Sequence, residues 1–196
     1  MMVKRILLAL FLFILPVFAV EYCAGIISHG GMVPSRWGSL TSSEPAYQLG
    51  LGLNIWFTNK IGVHTGLQYA WYYYEYEPVT LEWSCGNLLL PVDLIYGIPI
   101  GKNKIVLGAG FAICKTLNAT GAVGFITPIS VPDSILETNI GPELMVGMEI
   151  NFQSICLFPS IRYAHALNGP SNKYWDREEE TSHHYILLGI AMMVRW

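Results

Sequence analysis

Residues 182–196, from Ser182 to Trp196, read SHHYILLGIAMMVRW. Ile186, Leu188, Ile190, Met192, Val194 and Trp196 occupy the even positions. Tyr185, Leu187, Gly189, Ala191, Met193 and Arg195 occupy the odd ones. One face is therefore uniformly large and apolar, and the other mixes small residues, a phenol and a charge. A repeat of two is the period of a β-strand, because successive side chains point to opposite faces. Taken alone, the segment fits the edge of a soluble sandwich as well as a strand in lipid. The rest of the chain has to separate the two.

Six further stretches repeat the pattern. In YQLGLGLNIWF (47–57), Tyr47, Leu49, Leu51, Leu53, Ile55 and Phe57 alternate with Gln48, Gly50, Gly52, Asn54 and Trp56. After the short link Thr58-Asn59-Lys60, alternation resumes from Ile61 to Tyr74, with Gly62, His64, Gly66, Gln68 and Ala70 on the minor face. Two such runs around a three-residue link predict a hairpin. Leu88–Ile100 and Ile105–Cys114 form a second pair around residues 101–104, and Pro91 is expected to kink the first of them. Ile140–Phe152 and Ile155–Tyr163 form a third pair around a tight turn at Phe152-Gln153-Ser154. Residues 21–31 are the weakest strand, inferred partly because a single-chain bacterial barrel needs an even number.

The pattern predicts eight strands. Short links lie near 58–60, 101–104 and 152–154, and long ones near 32–45, 75–86, 115–138 and 167–182. Short turns at one end and long loops at the other are the habit of an outer-membrane barrel. A lipocalin-type barrel also has eight antiparallel strands, but with its apolar faces inside. Three features favour lipid. Charged residues are 13% of the chain, against roughly 25% in ordinary soluble domains. Aromatic residues cluster at the strand ends: Tyr69, Trp71, Tyr73 and Tyr163 at one end, Phe57, Phe152 and Trp196 at the other, as interfacial girdles do. The last residue is itself a tryptophan. The expected fold is all-β: an eight-stranded, antiparallel, up-and-down transmembrane barrel of the OmpA/OmpX kind.

The 196 residues suit one domain. The first 19 residues combine Lys4 and Arg5 with an apolar run from Ile6 to Leu15 and a small residue at Ala19. That is the layout of a secretory signal peptide, and the run is too short to span a bilayer. Residues 20–196 are then the barrel, destined for the outer membrane of a Gram-negative envelope. A lipoprotein reading would acylate Cys23, but Glu21-Tyr22 before it is unlike a lipobox. Net charge is −3 without a basic cluster, which argues against nucleic acid. Export permits disulfides among Cys23, Cys85, Cys114 and Cys156. Their spacings match no zinc motif. Cys85 and Cys114 stay several residues apart in a simple hairpin register, which favours free thiols.

The stretches LGLNIWFTNKIGVHTGLQYAWYYYEYE (51–77) and LLLPVDLIYGIPIGKNKIVLGAGFAI (88–113) resemble the PorT-like outer-membrane β-barrel family. The resemblance rests on the Asn-Lys hairpin turn, the tyrosine-rich third strand and the leucine-rich fourth strand with Pro91. It implies an integral outer-membrane protein without one shared activity, and one member is tied to a secretion system. In such barrels the terminal aromatic strand, here ending at Trp196, is part of the signal read by the barrel assembly machinery.

Eight strands leave an interior that side chains fill. Inward charges must then pair, since an unpaired buried charge costs several kcal/mol. Asp93, Glu143, Glu149, Arg162 and Arg195 are expected to form such a lumen network. A two-residue turn at Phe152-Gln153 would set Glu143 opposite Arg162 and Glu149 opposite Cys156. An ion path through these carboxylates is the alternative reading. No cofactor or metal is expected, and His29 and His64 read as lumen or rim residues. An enzyme reading, in the manner of barrels that modify lipid A acyl chains, would use Ser182, His184 and His165 at the outer rim, with Glu178, Glu179 and Glu180 beyond. The favoured expectation is no enzymatic activity and a structural or partner-binding role through loops 115–138 and 167–182.

Overall fold

Alternation leaves every strand with a lipid-type face and a small or polar one, and lipid offers no partner for a free backbone edge. A sheet that rolls up and pairs its last strand with its first satisfies both demands. The computed structural model shows that closure. It describes residues 21–37, 40–76, 81–123, 129–130, 138–166 and 181–196; the proposed signal segment lies outside them. Among the described residues every element is a strand: β1 (Glu21–Trp37), β2 (Leu40–Trp56), β3 (Ile61–Tyr76), β4 (Leu81–Ile100), β5 (Asn103–Val123), β6 (Ile129–Ser130), β7 (Thr138–Phe152), β8 (Ile155–Ala166) and β9 (Thr181–Arg195). Eight of them form the wall, each antiparallel to its neighbours, and β9 pairs with β1 from Arg195↔Cys23 to Thr181↔Trp37. The two-residue β6 pairs only with the tip of β5.

The strands run further than the alternation suggested. β1 reaches Trp37 and β2 starts at Leu40, so most of the expected 32–45 loop is hairpin. The 75–86 loop contracts in the same way, and β5 continues nine residues past Cys114 to Val123. A bilayer needs only about 9–11 residues per strand. Beyond it, water touches the outer face, and polar residues such as Ser43, Glu82 and Ser84 are admitted there. The alternation fades while the backbone ladder persists.

Facing follows parity. Leu188 is 62% exposed on the outer wall and its neighbour Leu187 only 2% exposed inside. Leu90 and Leu144 also lie outward and exposed, and Leu53 shares that face half-buried. Gln68, Asp93 and Glu149 point inward and are buried. Pro91 interrupts the β3–β4 ladder, whose pairing skips from Thr65↔Val92 to Gln68↔Leu89 without a change of register. The Thr65 hydroxyl donates to the Pro91 carbonyl at 2.8 Å. The β4–β5 ladder shifts at Gly86/Asn87, where Asn118 Oδ1 accepts the Gly86 N–H at 3.1 Å.

One register differs from expectation. β7 and β8 turn at Gln153-Ser154, with Phe152 paired to Ile155. Gln153 takes a left-handed φ of 51°, which such a tight turn demands. The pairing therefore slides by two residues. Glu143 stands opposite Ala164, Met145 opposite Arg162, and Asn151, not Glu149, opposite Cys156.

Candidate functional site

Among the described residues, buried side chains fill the lumen in successive layers. Near the extracellular side, Tyr72 and Tyr185 meet with ring centroids 4.7 Å apart, and Gln48 Nε2 donates to the Tyr72 hydroxyl at 3.0 Å. Below them Arg162, from β8, reaches diagonally across the slipped register. Its NH1 lies 2.8 Å from Glu143 Oε1 on β7, and its NH2 lies 3.6 Å from Asp93 Oδ2 on β4. All three side chains are buried. The alternation aims all three inward, because each sits on the minor face of its strand. His29 and His64 join this layer: Ser160 Oγ lies 3.4 Å from His29 Nε2, and His64 Nδ1 contacts Asn54 Oδ1.

Next comes an apolar plug, in which Ile27, Ile95, Val106, Met145, Phe158, Ala191 and Met193 are buried together with Trp56. Below it lies a second ionic cluster at the end carrying the short turns. Lys104 Nζ sits 3.4 Å from Glu21 Oε2 and 3.6 Å from Glu149 Oε2, and lies over the Trp56 ring at 4.1 Å. Trp56 Nε1 donates to Glu149 Oε1 at 3.1 Å. Arg195 Nε is 3.0 Å from Glu21 Oε1. The five charges expected in one network thus divide. Asp93, Glu143 and Arg162 form the middle cluster, whereas Glu149 and Arg195 belong to the lower one with Glu21 and Lys104. Sequence reading passed over Glu21 and Lys104 because each lies at the very start of its strand, where the alternation has barely begun. Their parity with Cys23 and Val106 was the available signal.

The four cysteines are free thiols. Cys23 and Cys156 converge on Glu149 in the lower cluster. Cys85 pairs with Ala119 and Cys114 with Leu89, so these two thiols are not opposed.

On the outer rim, His165 and His184 are paired across β8 and β9, with Nδ1 atoms 3.2 Å apart. The Tyr163 hydroxyl lies 2.7 Å from His184 Nδ1. The candidate rim residues His165 and His184 therefore touch. Ser182 is placed by its backbone, opposite Arg36; its side chain, with Glu178, Glu179, Glu180 and residues 167–180, lies outside the described residues. At the opposite interface Trp196 is exposed on the outer face. Its backbone exchanges hydrogen bonds of 3.0 and 3.1 Å with Tyr22, and the two rings stack at 6.4 Å. Lys102 Nζ lies 5.7 Å over the Phe152 ring on the same rim.

No family model matches the chain, and no curated protein does. Among solved structures, neisserial surface protein A is 13% identical, with a TM-score of 0.54 over 90% of this chain and 97% of that one. The attachment invasion locus protein Ail of Yersinia pestis is likewise 13% identical, with a TM-score of 0.51 over 90% and 98%. At such identities the likeness speaks for architecture alone. The chain has the fold of the small eight-stranded outer-membrane barrels.

Proposed function

We propose that this chain resides in the outer membrane as a non-conducting barrel whose extracellular strand ends and loops, 115–138 and 167–182, engage a partner. Its resemblance to the PorT-like family makes a secretion assembly the first class of partner to test. The observation that supports the reading is the filled lumen: a buried Arg162–Glu143–Asp93 cluster, an apolar plug and a second ionic cluster occupy successive layers. A solute path would have to disrupt all three. Planar-bilayer recording of the refolded barrel should show no discrete channel openings. Regular unitary currents would remove the reading. Cross-linking in cells from single cysteines placed in residues 167–182 would then identify the partner.

A second reading, outer-leaflet lipid modification, is favoured by one observation. The Tyr163–His184–His165 contact sits outward at the extracellular rim, where lipid headgroups lie. Catalysis would need Ser182 brought to an imidazole. Mass spectrometry of lipid A from a deletion strain, complemented with wild type or His184→Ala, separates the readings. An acyl change restored only by wild type would establish the enzyme.

A further inference from the structure

Cys23 on β1, Cys156 on β8 and Glu149 on β7 are far apart in sequence, yet their ligand atoms all lie within 4.8 Å of one another. All three residues are fully buried. We propose that this triad is a binding site for a thiophilic divalent cation of the zinc class.

Strand geometry favours a metal over a disulfide. Cys23 pairs with Arg195 and Cys156 with Met193, so β9 runs between the two cysteines. Two ladder steps of about 4.7–4.9 Å each carry the Cα atoms past the roughly 7 Å limit for a bridge. The thiols, pointing inward, still converge. A tetrahedral cation with bonds of about 2.0–2.3 Å holds its ligand atoms roughly 3.3–3.8 Å apart, within small side-chain adjustments of the observed cluster.

Glu149 is already aimed. Trp56 Nε1 and Asn54 Nδ2 donate to its Oε1 at 3.1 and 3.5 Å, which is how outer partners orient a metal-binding carboxylate. Its Oε2 is buried and accepts no hydrogen bond. Lys104 lies 3.6 Å from that oxygen but has other partners in Glu21 and the Trp56 ring. A water would take the fourth position, beside Glu21 Oε1, which lies 3.8 Å from Cys23 Sγ and is held by Arg195.

The charges balance as well. Glu21 and Glu149 are offset by Lys104 and Arg195 while both thiols are protonated. The cation enters as both thiols lose their protons, so one divalent charge replaces two protons and the lower lumen stays neutral. Arg195, about one-third exposed, is the most accessible member of this cluster. Once bound, the cation would tie β1 to β7 and β8 around the closing strand β9.

The test uses the full mature chain refolded in detergent, in a Cys85→Ser/Cys114→Ser background that leaves only the candidate thiols. Folding is checked by heat-modifiable gel mobility. Cobalt(II) titration should develop thiolate-to-cobalt charge-transfer absorption and tetrahedral visible bands, saturating at one ion per chain and displaced by zinc. Cys156→Ser should abolish the charge-transfer band or reduce it severely. Trp56→Phe, which keeps an aromatic side chain but removes the donor to Glu149, should weaken affinity by roughly 10–100-fold. No sulfur-to-cobalt band in the folded two-cysteine protein overturns the site, whether or not the variants fold. A Cys23–Cys156 disulfide in the mass spectrum of protein purified from membranes without reductant also overturns it.

Discussion

Arg162 is the side chain on which the middle of the lumen depends. Its guanidinium faces two buried carboxylates, Glu143 at 2.8 Å and Asp93 at 3.6 Å. Removing one partner of a buried ion pair strands the other, at a cost of about 3–5 kcal/mol. Arg162→Met should therefore lower unfolding stability in lipid by that order. Adding Glu143→Gln and Asp93→Asn should recover a substantial part, which equilibrium urea unfolding of the three variants would reveal. Additive losses would mean that the contact carries no coupling. On the outer wall, Leu188 is exposed to lipid. Leu188→Arg should destabilise the barrel by roughly 2–4 kcal/mol if it lies near the midplane, and an unchanged unfolding midpoint would show that this face does not meet hydrocarbon. Both residues were legible in sequence, because parity alone fixes facing once a strand is recognised. The Arg162–Glu143 pairing was expected from a direct cross-strand placement. The structure achieves it diagonally, since the guanidinium spans a two-residue slip that a shorter side chain could not.

At the level of the element, the β7–β8 hairpin shows why that slip was hidden. Register in a hairpin is set by turn geometry. The turn at Gln153-Ser154 places a non-glycine residue at φ 51°, and no Asn-Gly or Asp-Gly signal announces it. Gln153→Gly relieves that backbone penalty and should stabilise the barrel by about 0.5–1 kcal/mol, read as a higher urea midpoint with an unchanged slope. A destabilised variant would place the strain elsewhere. β1 illustrates a different concealment. Gly25, Gly30 and Gly31 dilute its alternation, yet it is 17 residues long and paired on both sides. A Cβ added at Gly25 would lie 1.9 Å from the Met192 carbonyl oxygen, so the glycine that weakens the sequence signal lets β1 and β9 approach. Gly25→Val should correspondingly impair folding, seen as loss of the heat-modifiable folded band.

In the whole molecule, closure depends on the seam between β1 and β9, which ends at Trp196. The backbone exchange and ring stacking with Tyr22 give Trp196 an anchoring role at the interface. The proposed assembly signal predicts something different from anchoring. Trp196→Ala, and a chain lacking Arg195 and Trp196, should accumulate unfolded in the periplasm while the purified chains still fold in detergent. Wild-type amounts of folded barrel in membrane fractions would remove the signal role. The sequence by itself determined the barrel class, the strand facing and the aromatic rims. Each is a local, period-2 property of residues in contact with lipid, water or lumen, and needs no knowledge of partners. Only the tertiary structure decided which inward groups meet. Glu149 fell in the lower layer with Lys104 and not with the Arg162 cluster, closure brought Glu21 and Arg195 together from opposite ends of the barrel domain, and curvature converged Cys23, Glu149 and Cys156. Those meetings depend on register, shear and closure summed over the whole ring, quantities that no single strand's alternation carries.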